Sequence, residues 1–403
     1  MIRLTRGGWL AAGIGTAVGA TGRALGVIEL TLLGLGTVAL VAAALALVVL
    51  TRLDVGMGRA AQPLRVHAGE PSQARATVHN RGRRATPVLT LHDPVGDADV
   101  ALRMAPIVAG GRASTTYDLP TRRRGIVPLG PLGLEMTDPF GLARARVRGG
   151  GRASLTVYPR VDRIEPLPPA AGSDLHGETD QAHRLSPAGD EFYALRPYVV
   201  GDDLRRVHWS STAHADTLMV RQDEQPRQGR VTVALDLRSG TRWPAALELV
   251  VSAAASVVRA SRSVHDLVRV VSSDGTDTGY AADPRHTAAV MEHLARVGPS
   301  PEGTVRPLLG RLGRTTGGGA LVVVGAADDD GAGLSSREIA ALQRLRPRFG
   351  RVVVVAFHPS AWDRRVRPAA VSLPGVALVT RDRPFPAAWH QVVRPRLAPP
   401  RAG

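Results

Sequence analysis

Leu30 through Leu50 carries no charged residue and is dominated by Leu, Ala and Val, bounded by Glu29 and Arg52. An uncharged apolar run of that length forms a helix about 30 Å long, the thickness of a bilayer's hydrocarbon core. It constrains the chain more than any other feature, because everything else must fold in water on one side of that span or the other. Ahead of it, Gly7 to Gly22 is a second uncharged stretch, glycine-rich and short, between Arg6 and Arg23. This stretch reads as the first arm of a transmembrane hairpin, lengthened into Arg23 by snorkelling. Its alternative is the apolar core of a signal peptide behind Arg3 and Arg6. The short polar break before Leu30 favours the hairpin. Either way the chain behind Arg52 and Arg59 is expected on the cytoplasmic face of the plasma (inner) membrane, by the positive-inside rule.

The formal net charge is +16, a value that in a soluble protein suggests nucleic acid or an anionic membrane surface. The chain contains no lysine, so all 51 basic residues are arginine. With abundant Ala, Gly, Pro and Val, that choice reads as the codon bias of a GC-rich genome combined with attraction to membrane lipid. Aromatics at 4% are too sparse for a base-stacking platform, so no nucleic-acid partner is expected. The absence of cysteine excludes disulfides, thiolate zinc sites and a cysteine nucleophile.

Behind the membrane segment (residues 1–58), residues 59–160 show short alternating runs separated by turn residues. Examples are Ala74–Val78, Val88–Leu91, Val100–Leu102, Ser114–Tyr117, Ile126–Leu129 and Ser154–Tyr158. That spacing predicts an antiparallel β-sandwich of immunoglobulin-like size. Asp138-Pro139-Phe140-Gly141 suits a type I turn. Residues 161–230 hold a Pro- and Gly-rich linker and a dense polar segment. From residue 231 to 397 buried-type strands alternate with helices: strands at Val231–Leu237, Leu267–Ser272, Ala320–Gly325, Val352–Phe357 and Val376–Thr380, and helices near Ala245–Ala260, Pro284–Val297 and Ser335–Leu345. The pattern predicts a doubly wound, largely parallel α/β sheet.

The dense polar segment is Gly201-Asp202-Asp203-Leu204-Arg205-Arg206-Val207-His208-Trp209-Ser210, just ahead of Val231–Asp236. With Gly189–Phe192, Arg196-Pro197-Tyr198, Arg123-Arg124-Gly125 and Asp138–Leu142, it resembles the domain of unknown function 58 family of bacterial membrane proteins. The resemblance implies a von Willebrand factor A-like α/β domain. It also implies partnership with a MoxR-type AAA+ ATPase and a transglutaminase-like membrane protein in assembly or maturation of envelope complexes. Von Willebrand A domains hold Mg²⁺ through an Asp-x-Ser-x-Ser loop after the first strand. The aligned positions here are Asp236, Arg238 and Gly240, a degenerate set that puts a guanidinium in place of a hydroxyl and predicts no metal and no cofactor.

In the polar segment, Gly201 permits a turn and Asp202 or Asp203 suits the cap of a following helix. On that helix Leu204, Val207 and Ser211 would share a face, and Arg205 would stack on Trp209 four residues on. Gly201, Asp202, Asp203, Arg205, Arg206, His208 and Trp209 then form either a partner-docking surface or an internal brace. His208 and His214 have no carboxylate or third histidine at ligand spacing, which argues against a metal or general-base role. No GxxxxGK loop, GxSxG elbow or HExxH motif is present. Ser210 and His208, two apart on a helix, diverge too far to act as nucleophile and base. The expectation is a non-enzymatic membrane-anchored scaffold. The alternatives are a divalent-metal hydrolase using Asp236 with Asp328, Asp329 and Asp330, and an arginine-driven binder of anionic lipid or nucleic acid.

Overall fold

A computed structural model describes residues 2–51, 53–168, 192–198, 207–215, 217–223, 229–238, 244–300, 306–314, 318–327, 334–368 and 375–394. The chain divides into two compact units. The first comprises Met1–Arg160 with Met291–Val297, and the second Val161–Val290 with Gly298–Gly403.

The first unit begins with a short strand, β1 (Ile2–Leu4), followed by helices α1 (Arg6–Leu25) and α2 (Ile28–Leu50). The two helices pack antiparallel, and glycine sets how closely they approach. A Cβ on Gly22 would lie 2.5 Å from Thr31 N, and one on Gly34 would overlap the Gly19 backbone. Small residues at such seams are how helices pack when the surroundings are as apolar as the side chains. The outer faces remain apolar and uncovered, with Trp9, Leu10, Ile14, Leu32, Leu33 and Leu35 exposed. At the other end of α2, Ala44 and Val48 join the hydrophobic core of the β-rich part of the unit.

That part contains β2 (Val55–Gln62), β3 (Arg65–His67), β4 (Gln73–Asn80), β5 (Leu89–Val95) and β6 (Ala98–Met104). It continues through β7 (Arg112–Asp118), β8 (Gly125–Leu129), β9 (Leu132–Thr137), β10 (Ala143–Gly149) and β11 (Ala153–Tyr158). One sheet runs β1-β10-β9-β5-β8-β11-β3 with β6 on β5, and a second runs β2-β4-β7. The core is shared between them, with Ala74, Ala76 and Val78 from β4 and Leu89 and Leu91 from β5. Those positions alternate, as they must in strands with one buried face. β1 was not foreseen: it pairs antiparallel with β10, Ile2 opposite Ala145 and Leu4 opposite Ala143. The Asp138 turn forms as expected, with Gly141 N–H donating to the Asp138 carbonyl at 3.0 Å.

The second unit opens with an antiparallel pair, β12 (Phe192–Pro197) and β13 (Met219–Asp223), with helix α3 (Trp209–Ala215) between them. There follow β14 (Arg230–Leu235), α4 (Pro244–Ser263), β15 (Leu267–Ser272), α5 (Pro284–Arg296, grouped with the first unit from Met291 onward), α6 (Arg306–Arg314) and β16 (Ala320–Ala326). Next come α7 (Ser336–Gln343), β17 (Arg351–Phe357), β18 (Val376–Val379) and α8 (Phe385–Val393). β15-β14-β16-β17-β18 form one all-parallel sheet. Every residue of β16 is buried, as expected of a parallel strand covered on both faces. α4 is as long and apolar as a membrane span, yet 67% of that stretch is buried, against 22% for α2, so it packs as a core helix. The strand order reverses between β14 and β16, which marks the crevice beyond their carboxyl ends as the usual ligand position of such a sheet.

Candidate functional site

Asp236 follows the last residue of β14, and its backbone N–H continues the ladder to Val324 O at 2.9 Å. Its carboxylate is fully buried. Such a charge is tolerated only when paired and hydrogen-bonded, and Arg238 supplies both. Arg238 Nε donates to Asp236 Oδ1 at 2.9 Å, Nη2 to Oδ2 at 2.8 Å, and the Arg238 backbone N–H to Oδ1 at 3.1 Å. The guanidinium, itself only 8% exposed, also donates to Glu338 through Nη1 and Nη2, both at 3.2 Å. Glu338 is fixed by a capping box at the start of α7: Ser335 N–H donates to Glu338 Oε2 at 3.0 Å, and Glu338 N–H to Ser335 Oγ at 3.3 Å. Gly325 on β16 lets this group sit against the sheet, since a Cβ there would lie 3.0 Å from the Asp236 Cβ and 2.8 Å from Leu334 Cδ1.

Burial alone would lower the Arg238 pKa, but the hydrogen bond and charge of Asp236, joined by Glu338, carry it well above the usual guanidinium range. Glu338 moves the other way. Burial raises it, yet the Ser335 backbone N–H and the Arg238 guanidinium leave it below the usual carboxylate range. The result is a closed carboxylate–guanidinium–carboxylate chain. It does not fit a divalent cation: both oxygens of Asp236 are taken by the fixed positive charge of Arg238. Gly240 and Asp328, Asp329 and Asp330 lie outside the described residues. Among the described residues no group of three or more His, Asp or Glu is arranged to hold a metal ion. Sequence reasoning set Asp236 and Arg238 at positions of a degenerate metal loop and foresaw neither their ion pair nor Glu338 as its third member. Its signal was present, since Ser335-Ser336-Arg337-Glu338 is a capping-box pattern ahead of an apolar run.

Of the polar segment, Gly201, Asp202, Asp203, Arg205 and Arg206 lie outside the described residues. Leu204 lies outside them as well, and the described helix α3 begins at Trp209. Val207 forms a bridge with Val220, and His208 N–H donates to Met219 O at 2.8 Å. Val207 is therefore tied to β13 rather than to a helix face shared with Ser211. His208 sits at the cap of α3, its ring Nδ1 accepting from Ser211 N–H at 3.3 Å and lying 2.9 Å from Ser211 Oγ. Its role here is local, the task normally given to Ser or Asp. Trp209, next in the chain, is 69% exposed.

No curated protein matches the chain. Solved structures with similar segments include the CARDB domain of the PF1109 protein from Pyrococcus furiosus, in complex with di-metal ions. That likeness has 9% identity over 26% of this chain and 93% of that one, at a TM-score of 0.20. Another is the Pseudomonas fluorescens alkylpurine DNA glycosylase AlkC bound to DNA containing an abasic site analog, 13% identical over 30% and 38% of the two chains, TM-score 0.19. A third is β-glucosidase from Listeria innocua in complex with isofagomine, 14% identical over 25% and 16%, TM-score 0.17. Likenesses this slight carry no argument about fold or chemistry. Residues 194–329, the stretch from β12 to just beyond β16, match the model of the family described as protein of unknown function DUF58.

Proposed function

We propose that this protein is a membrane-anchored, non-enzymatic adaptor. In this reading a transmembrane hairpin carries an immunoglobulin-like β-sandwich and a doubly wound, von Willebrand A-like domain on the cytoplasmic side. The adaptor works with a MoxR-type AAA+ ATPase, and with a transglutaminase-like membrane protein, in assembly or maturation of envelope complexes. The observation that carries it is the closed Asp236–Arg238–Glu338 chain. At the sheet's customary ligand position, the carboxylate a metal hydrolase would need is already neutralised by the protein itself.

The hairpin is supported by β1. A strand ahead of α1 is hydrogen-bonded to β10, behind α2, so both flanks share one side of the bilayer and the number of crossings between them is even. Cleavage of a signal peptide would remove that strand. A reporter fused after Gly403 should accordingly read as cytoplasmic, and periplasmic-type reporter activity would overturn the topology.

In this reading Trp209 is an anchor for the partner, supported by its exposure and by the weight of Trp and Arg in interface energetics. Trp209→Ala should weaken capture of a purified MoxR-type ATPase by about 30-fold, roughly 2 kcal/mol, with the melting temperature unchanged. Unaltered capture by a normally folded variant would remove Trp209 from the interface.

A further inference from the structure

The turn at Asp138 is built more firmly than a connection between β9 and β10 requires. Asp138 is buried, and its carboxylate accepts from Phe140 N–H at 2.8 Å and from Ala143 N–H at 2.5 Å. Thr5 clamps the same turn to the membrane helices. Its N–H donates to Leu142 O at 2.9 Å and its hydroxyl to Gly141 O at 2.6 Å, while Oγ1 accepts from Gly8 N–H at 2.9 Å and caps α1. A Cβ on Gly8 would overlap the Leu142 carbonyl, so α1 begins directly on the turn. At the tip of this braced loop Phe140 is 66% exposed, and Trp9, one turn into α1, is equally bare. Immobilising a large apolar side chain in water has no benefit to the unit's own core.

A basic strip runs beside it. Arg3 on β1 stands directly opposite Arg144 on β10. Residues paired in register share a face, and Arg146 and Arg148 follow on that face at period two. The facing stretch of β9 contributes one acid, Glu135, 3.6 Å from Arg144. The strip and Phe140 adjoin the point where the uncovered apolar surface of α1 begins.

We infer that the Asp138–Leu142 turn and the β1–β10 basic strip form a bilayer-contact foot, in which Phe140 inserts at the lipid interface while Arg3 and Arg144 hold anionic phospholipid headgroups. This rests on the transmembrane-hairpin reading. The occupant follows from continuity with the apolar helix surface and from charge: the inner-leaflet surface is negative and attracts nearby Arg side chains. Aromatic side chains are enriched at that depth.

Because the chain has no cysteine, single probes can be placed cleanly. The full chain carrying Phe140→Cys, labelled with an environment-sensitive fluorophore, would be reconstituted into nanodiscs of phosphatidylcholine with or without phosphatidylglycerol. Leu35→Cys in a parallel preparation reports helix insertion. With phosphatidylglycerol the probe at 140 should be severalfold less quenched by aqueous iodide than in detergent, and Arg3→Gln with Arg144→Gln should abolish the part that depends on the anionic lipid. A quenchable probe at 140 beside a shielded probe at 35 overturns the foot and leaves the anchor standing. Shielding at 140 that ignores phosphatidylglycerol overturns the headgroup assignment. A quenchable probe at 35 overturns both the anchor and the foot.

Discussion

Arg238→Met should cost the α/β unit about 3–5 kcal/mol, because it removes one partner of a buried pair and strands the other. Asp236 is fully buried, and Arg238 meets it with a two-pronged fork. Methionine matches the stem in volume and leaves the carboxylate without a countercharge. For a unit of this size such a loss lowers the melting temperature by roughly 10 °C. The double variant Asp236→Asn, Arg238→Met should recover much of it, since replacing a whole buried pair is often close to neutral. Acid supplies a second reading. The folded-state pKa of Glu338 is depressed, so its contribution is present above the unfolded value of about 4.3 and is lost as pH falls through the folded one. That acid-sensitive portion should shrink in Arg238→Met. In magnesium titrations the unaltered chain should show no saturable binding at micromolar concentration, and Arg238→Ser with Gly240→Ser should gain it. A stable Arg238→Met variant, or tight magnesium binding by the unaltered chain that is lost with Asp236→Ala, would overturn the closed-chain account and favour the hydrolase.

How far the fold could be read in advance depended on where its signal was stored. The parallel strands were legible to within a residue or two, Leu267–Ser272 without error, because a strand covered on both faces must be apolar throughout. β2 and β10 were missed for the opposite reason. β10, ARARVRG, buries only Ala143 and Ala145 and places Arg144 and Arg148 outward, while β2, VGMGRAAQ, turns Arg59 inward and Ala60 outward, so neither shows much hydrophobic contrast between its faces. β5 was cut short at Leu91 because the next inward position is Asp93, a charge where the pattern asks for an aliphatic side chain. β1 is a three-residue strand whose partner lies well over a hundred residues away, and nothing local distinguishes it from a helix leader. At the strand-end site, Asp236 and Arg238 were singled out as positions of a degenerate metal loop, but their ion pair was not foreseen. Glu338 arrives from α7, and only the topology brings it there.

The charge that hid β5 leads to the second large effect, Arg59→Met in the β-rich unit. Asp93 is 0% exposed and Arg59 3%. Arg59 Nη1 donates to both Asp93 oxygens at 2.7 and 2.9 Å, and Nη2 to the carbonyls of Leu129 at 3.0 Å and Gly151 at 3.2 Å. The Tyr117 hydroxyl also donates to Asp93, and burial together with the adjacent carboxylate pushes that phenol well above its usual range, so it stays a donor. Arg59 and Tyr117 belong to the β2-β4-β7 sheet and Asp93 to the larger one, which makes this cluster an ionic tie across the shared core. Removing Arg59 strands a buried carboxylate and two carbonyl acceptors, at a cost of about 3–5 kcal/mol. Tyr117→Phe removes one of several donors to Asp93 and should cost about 1–3 kcal/mol. Both are measurable by thermal unfolding of the full chain in detergent, with hydrogen exchange on β4 and β5 assigning the loss to this unit. The ranking is the diagnostic. If Arg59→Met costs no more than Tyr117→Phe, the pair does not tie the sheets and the aliphatic core alone holds them. If Arg59→Met is the costlier by the margin expected, the aspartate that interrupts the apolar pattern of β5 is what fixes one sheet against the other.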